Sequence, residues 1–214
     1  LNSNRRLTRA NYDRLSRWYD FISGSSERPA RARGVQKLNI QAGECVLEIG
    51  FGTGDALEMC ASAAGRDGWV VGVDLSAGML RVARSKVAMR AFSNVTFVQG
   101  DGVCLAFDTG SFDVVFMSFT LELFSVEDIS ALLAECRRVL KPGGRIGIVS
   151  LMQKDTPNWI EILYAWAHRR WPAVIDCRPI PLIEEAQNAG LAIPYAAEMS
   201  MWGLAVGILI GLRE

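Results

Sequence analysis

Three acidic residues, Glu48, Asp74 and Asp101, each stand at or just past the end of a short apolar run. The first of these runs opens onto Gly50-Phe51-Gly52-Thr53-Gly54-Asp55. Glycines at alternate positions permit a tight turn, let a ligand approach the backbone, and let the next helix pack closely. Strand, glycine turn and helix together aim backbone N–H groups and a helix N-terminus at the carboxyl end of a strand, where open α/β sheets bind nucleotides. A dinucleotide fingerprint, G-x-G-x-x-G, requires glycine where Asp55 stands, so the spacing here is a different one, E-x-G-x-G-x-G. Asp74 lies twenty residues beyond Gly54, the separation at which a strand-end acid meets ribose hydroxyls. Its carboxylate can accept from both hydroxyls, and Ser76 is available as the helix N-cap in its place. Mutation of Asp74 is therefore expected to weaken a ligand and hardly to change the fold. Asp101, between Gly100 and Gly102, suits a hydrogen bond from an adenine amino group.

Strands and helices alternate so as to place these groups. Apolar runs predict strands at 44–49, 69–73, 95–99, 112–118 and 145–151. Helices are predicted at 56–64, 77–91 and 126–140, the last capped by Ser125 and stopped by Lys141-Pro142-Gly143-Gly144. This alternation predicts a doubly wound, mostly parallel α/β sheet, and right-handed crossovers put every strand-end group on one edge. Residues 181–189 read as a helix, and 193–201 with 204–212 as an antiparallel hairpin around Trp202-Gly203. Ahead of the sheet, 5–22 reads as a helix with a narrow apolar stripe. Gly24-Ser25-Ser26 breaks it, and a second helix runs over 30–39. Residues 1–40 are thus expected to form a helical cap or lid, with residues 1–25 closing over the ligand, and residues 41–214 the main domain.

The chain has 214 residues, half of them apolar, and a formal net charge of zero. That balance argues against a general nucleic-acid binder, whose phosphate contacts need a basic surface. The charge is uneven, since residues 1–40 carry nine Arg or Lys against three acids. The first helix could therefore rest a basic face on an acidic membrane, although a lid is the favoured reading. Five scattered cysteines without C-x-x-C spacing and a single histidine predict reduced thiols and no metal site. No apolar stretch reaches the run of about 20 residues that spans a bilayer. The expected setting is cytoplasmic, with peripheral membrane contact as the alternative.

The set VLEIGFGTG, VGVDLSAGML, Gly100-Asp101, FDVVFMSFTLELF and RRVLKPGGRIGIVSL resembles, in order and spacing, the class I S-adenosylmethionine-dependent methyltransferases. The likeness covers about residues 44–151. Within the class it is similar to the ubiquinone/menaquinone C-methyltransferase group and its type-11 relatives, and Trp18-Tyr19-Asp20 fits that group too. The resemblance implies a Rossmann-like seven-stranded sheet and S-adenosyl-L-methionine as cofactor. It places Glu48, Gly50, Gly52 and Gly54 along the methionine part and Asp74 at the ribose, with Leu75 and Met79 also among the cofactor-binding residues. Asp101 and Gly102 fall at the adenine and Ser118 near the sulfonium. Tyr19 could give its hydroxyl to the cofactor carboxylate or to the acceptor. Quinone-modifying members follow the fourth strand with an Arg-Asn pair, where this chain has Thr120-Leu121-Glu122-Leu123.

A sulfonium is already a good leaving group, so the protein must hold a nucleophile in line and exclude water. A carbon or phenol acceptor would also need a base, for which Glu122, Asp20 and His168 are candidates. A helical insertion at about 152–180, with Ile160, Leu163, Tyr164, Ala167 and Trp171 on one face, is expected to cover the acceptor, although the same spacing suits plain packing. The expected reaction is methyl transfer to a small apolar or amphipathic molecule, quinol- or phenol-like. A phospholipid head-group N-methyltransferase is the alternative, and a non-catalytic adenosyl-ligand binder or partner protein is the rival from another class.

Overall fold

The computed structural model describes residues 24–171 and 177–214. The expected lid residues Tyr19 and Asp20 lie outside these. Helix α1 (Gly24–Leu38) leads into β1 (Cys45–Ile49), α2 (Asp55–Ala64), β2 (Trp69–Asp74), α3 (Ala77–Met89), β3 (Val95–Gln99) and β4 (Phe112–Ser118). A single 3-10 turn (Leu121–Leu123) precedes α4 (Val126–Val139), β5 (Leu140–Leu151), α5 (Trp159–Arg170), α6 (Leu182–Asn188), β6 (Ala192–Met201) and β7 (Leu204–Leu212). The seven strands form one sheet in the order β3-β2-β1-β4-β5-β7-β6. Pairings from β3 through β5 are parallel, and β7 runs antiparallel to both β5 and β6.

The core lies on both faces of the sheet because neighbouring strand residues point opposite ways. Val46, Val114 and Phe116 face one layer with Leu38 of α1 and Leu57 of α2. Leu47, Val115 and Met117 face the other with Leu132 of α4 and Ala186 of α6. α1 packs tightly on its layer. A Cβ at Gly34 would stand 2.5 Å from Val149 Cγ2, and one at Gly147 would stand 2.7 Å from Leu38 Cγ.

Two expectations need correction. Gly24-Ser25-Ser26 is not a break but the first turn of α1. Small and hydroxyl residues are compatible with the ends of helices as well as with turns between them. Lys141–Gly144 likewise does not separate α4 from a later strand. α4 ends at Val139 and β5 begins at Leu140, with the four residues forming an irregular stretch opposite Phe112 and Val114. Gly143, at φ +74°, provides the kink and donates its amide to Arg213 O. The hairpin over β6 and β7 is as expected, closed by the two residues Trp202 and Gly203.

Candidate active site

The strand order reverses between β2-β1 on one side and β4-β5 on the other, so the crevice beyond the carboxyl ends of β1 and β4 is a topological switch point. The glycine loop fills it. Gly50, at φ +69°, donates to Val73 O at 2.7 Å, and a Cβ there would stand 2.4 Å from Thr120 on the neighbouring strand's exit. That glycine lets two chain segments touch. Gly52, at φ +53°, has nothing within 4 Å of where a Cβ would be. Here the missing side chain opens the backbone to an incoming molecule instead of relieving a clash inside the protein. Gly54 packs α2 onto α3, with Ala83 Cβ 3.0 Å from its would-be side chain.

Glu48 points from the strand into the layer shared with α1 and α2, and it is 1% exposed. Its Oε2 is buried without a hydrogen-bond partner among the described residues. Burial pushes the carboxyl well above its usual range, opposed by the Arg31 guanidinium and assisted by the Asp55 and Asp74 charges. Such a group is costly to leave alone and calls for a cation or donor to complete it.

Asp74 does two things at once. Oδ2 accepts from the Gly52 amide at 2.9 Å and Oδ1 from the Ser76 amide at 2.8 Å, so it braces the open glycine in position. An ionised carboxylate offers about four acceptor sites in all. These two bonds give Asp74 a structural part beside the expected ligand contact. Ser76 is the N-cap of α3, accepting from Met79 N at 3.1 Å. Met79 itself is fully buried beneath the loop, while Leu75 is half-buried and accepts through its carbonyl from Gln99. Asp101 Oδ1 accepts from Val103 N, and Gly102 lies where a Cβ would strike Leu132 and Ile49.

Read along the sheet edge, the order is Asp101 after β3, Asp74 at the end of β2, the glycine loop after β1, and Ser118 at the end of β4. Three strand spacings separate the ends of this row, roughly 14 Å, enough for a nucleoside joined to an amino acid.

Several groups at the site were not legible beforehand. Arg31 of α1 is buried and reaches Ser118 Oγ through Nε at 3.2 Å, Glu27 at 2.7 Å and Asp55 at 3.3 Å. Asp55 also pairs with Lys86. Only the i,i+4 spacing of Glu27 and Arg31 could have signalled the pair. Glu122 joins the same neighbourhood. It is 1% exposed, its carboxylate accepts from Ser150 Oγ at 2.9 Å and from Leu151 N at 3.2 Å, and burial pushes its pKa up to about 7, with Glu27 adding to the rise. His168 lies on the last turn of α5, where it is half-buried.

Residues 46–144 match the family model described as a methyltransferase domain. Over this span the chain is similar to that methyltransferase domain. The chain is 32% identical over 166 residues to the ubiquinone/menaquinone biosynthesis C-methyltransferase UbiE of Marinomonas sp. (strain MWYL1), across 77% of this chain and 64% of that protein. It is 34% identical over 155 residues to the demethylmenaquinone methyltransferase of Listeria monocytogenes serotype 4a (strain HCC23), across 72% of this chain and 63% of that protein. The matches thus span somewhat under two thirds of the relatives' lengths. The fold is shared with the geranyl diphosphate C-methyltransferase of Streptomyces coelicolor A3(2), solved with S-adenosyl-L-homocysteine, at a TM-score of 0.71, with 16% identity and 87% of this chain and 81% of that one covered. The residues of this crevice fit S-adenosylmethionine on structural grounds. The orphaned Glu48 oxygen suits a cationic amino-acid end, Gly52 leaves the backbone open, and Asp74 stands beside Gly52 as a hydrogen-bond acceptor.

Proposed function

We propose that the protein transfers a methyl group from S-adenosylmethionine to carbon or oxygen of a small, quinol- or phenol-like acceptor. The observation that carries this reading is the row from Asp101 to Ser118 ending beside a buried carboxyl poised near neutrality. The cofactor supplies an activated methyl group on a leaving sulfonium. Everything else falls to this chain. Glu48 and the loop orient the amino-acid end, Asp74 holds the ribose, and Arg31 fixes Ser118 and the exit of β4. Glu122 takes the proton that a phenol or an activated ring carbon must lose, and its raised pKa matches that role near neutral pH. The names of the two relatives, which act in ubiquinone and menaquinone biosynthesis, support an acceptor of this class.

The test is incubation with methyl-labelled cofactor and, separately, a demethylated quinol analogue, a catechol and phosphatidylethanolamine, followed by mass spectrometry. One added methyl on the quinol or catechol is expected. Labelling of the amine lipid alone would move the reading to head-group N-methylation. Tight cofactor binding with no product on any acceptor would make the protein a binder and not an enzyme.

A further inference from the structure

The outer face of α5 is apolar and open. Trp159, Ile162, Leu163 and Trp166, at helical i, i+3, i+4 and i+7 spacing, are each more than half exposed. The expected aromatic face of this helix is divided: Ile160 and Tyr164 turn inward, while Leu163 and Trp171 face out. The helix is firmly held from inside. Its Asn158 cap donates to Gly203 O at 2.8 Å, Glu161 accepts from Ala205 N at 3.1 Å, and Tyr164 Oη donates to Cys177 O at 3.0 Å. These three hydrogen bonds hold α5 from its inner side, and none of them involves the outward residues.

A second observation comes from the hairpin tip that the Asn158 cap touches. Trp202 and Gly203 have φ +53° and +84°, the geometry of a type I′ turn, whose first central position favours Asn, Asp or Gly. A bulky residue there is disfavoured by sterics. Trp202 nonetheless occupies it and is 65% exposed. The exposed indole thus sits on a backbone conformation that bulky residues rarely adopt. Because Leu151 pairs with Val206, this tip and α5 stand at the same sheet edge as the carboxyl ends of β1 and β4.

We propose that α5 and the Trp202 tip form a docking surface for an anionic lipid bilayer, seating the open edge of the protein on the membrane. Tryptophan is the side chain that settles at the head-group level, apolar in body and polar at the N–H. The charges favour anionic lipid. The one acid within α5, Glu161, is turned inward, and its exposed charges are Arg169 and Arg170 in the last turn. A second copy of the chain fits less well. Twelve residues of helix are about 18 Å long, and one face of that length falls well short of the roughly 800 Å² per partner of a stable dimer. A bilayer needs no complementary shape and accepts a narrow stripe.

Vesicle binding, measured without cofactor or acceptor, tests this apart from the methyl-transfer reading. The full chain is mixed with phosphatidylcholine vesicles with and without phosphatidylglycerol, and followed by co-sedimentation and by tryptophan quenching with brominated lipid. Binding to the anionic vesicles, weakened by salt and quenched near the head groups, is expected. Leu163→Ser with Trp166→Ser should lower the partition coefficient on the order of tenfold per anchor while leaving the melting temperature unchanged. Trp202→Asn should weaken binding and melt no lower than the parent, because Asn suits the turn. Parental binding by these variants would overturn the inference, as would no binding to either vesicle. A concentration-dependent dimer that the Trp166 variant abolishes, without vesicle binding, would overturn it in favour of self-association.

Discussion

Glu122→Gln is the perturbation that separates a buried titrating carboxyl from an inert one. In the parent, the group rises from 4.5 to about 7 because it is buried beneath the exit of β4, with two inward hydrogen bonds only partly offsetting desolvation. At about 1.36 kcal/mol per pH unit, holding it ionised in the native state costs about 3 kcal/mol. The native value lies above the unfolded one, so the native state keeps the proton over that range. Stability from this residue is full below about 4.5 and is lost as pH rises through about 7. Glutamine keeps the shape, accepts from Leu151 N and can donate to Ser150 Oγ, but does not titrate. For a chain of 214 residues, about 3 kcal/mol corresponds to roughly 7 °C in melting temperature. Thermal melts of the cofactor-free protein should therefore show the variant gaining on the parent by roughly this amount between pH 5 and pH 8. The catalytic half of the argument is read from kcat. Losing a general base should cost about 10²- to 10⁴-fold and remove the acidic limb near pH 7. A melting difference that is flat with pH would refute the burial reasoning. Parental kcat with an unchanged pH profile would refute the role as base.

Asp74→Ala should lower cofactor affinity by about 1.5–3 kcal/mol, as for hydrogen bonds to a charged group. It should also lower the melting temperature, since the Gly52 and Ser76 amides lose their acceptor; calorimetry and a melt on the same sample check both. Gly52→Ala should destabilise by only about 1–2 kcal/mol, the cost of a left-handed alanine, yet block the cofactor. Gly50→Ala, driven into Thr120, should lose far more stability; equal melting temperatures for the two would contradict the division of labour in the loop. Glu48 predicts that cofactor affinity rises with pH by up to about tenfold per unit while its buried carboxyl is being ionised. Titrations of Glu48→Gln should show a weaker and pH-independent affinity.

Local chemistry determined much of this protein before any tertiary contact was known. The strand-turn-helix grammar around Val46–Gly54, the Ser76 and Ser125 caps and the alternation of apolar runs are short-range features, and steric and hydrogen-bond rules act on them residue by residue. They sufficed for the sheet and for putting Glu48, Asp74 and Asp101 at or near the carboxyl ends of its first three strands. What each residue touches there is decided by neighbours distant in the chain. Asp74 braces Gly52 because β2 lies beside β1. Arg31 meets Ser118 across 87 residues because α1 packs over β4. Glu122 acquires its raised pKa from burial against the end of β5. The outward tryptophans of α5 share their helical period with the inward face, and periodicity cannot tell a stripe that meets the sheet from one that meets the solvent. That choice belongs to the fold as a whole, since burial is a property of how elements pack and not of the order of residues within one of them.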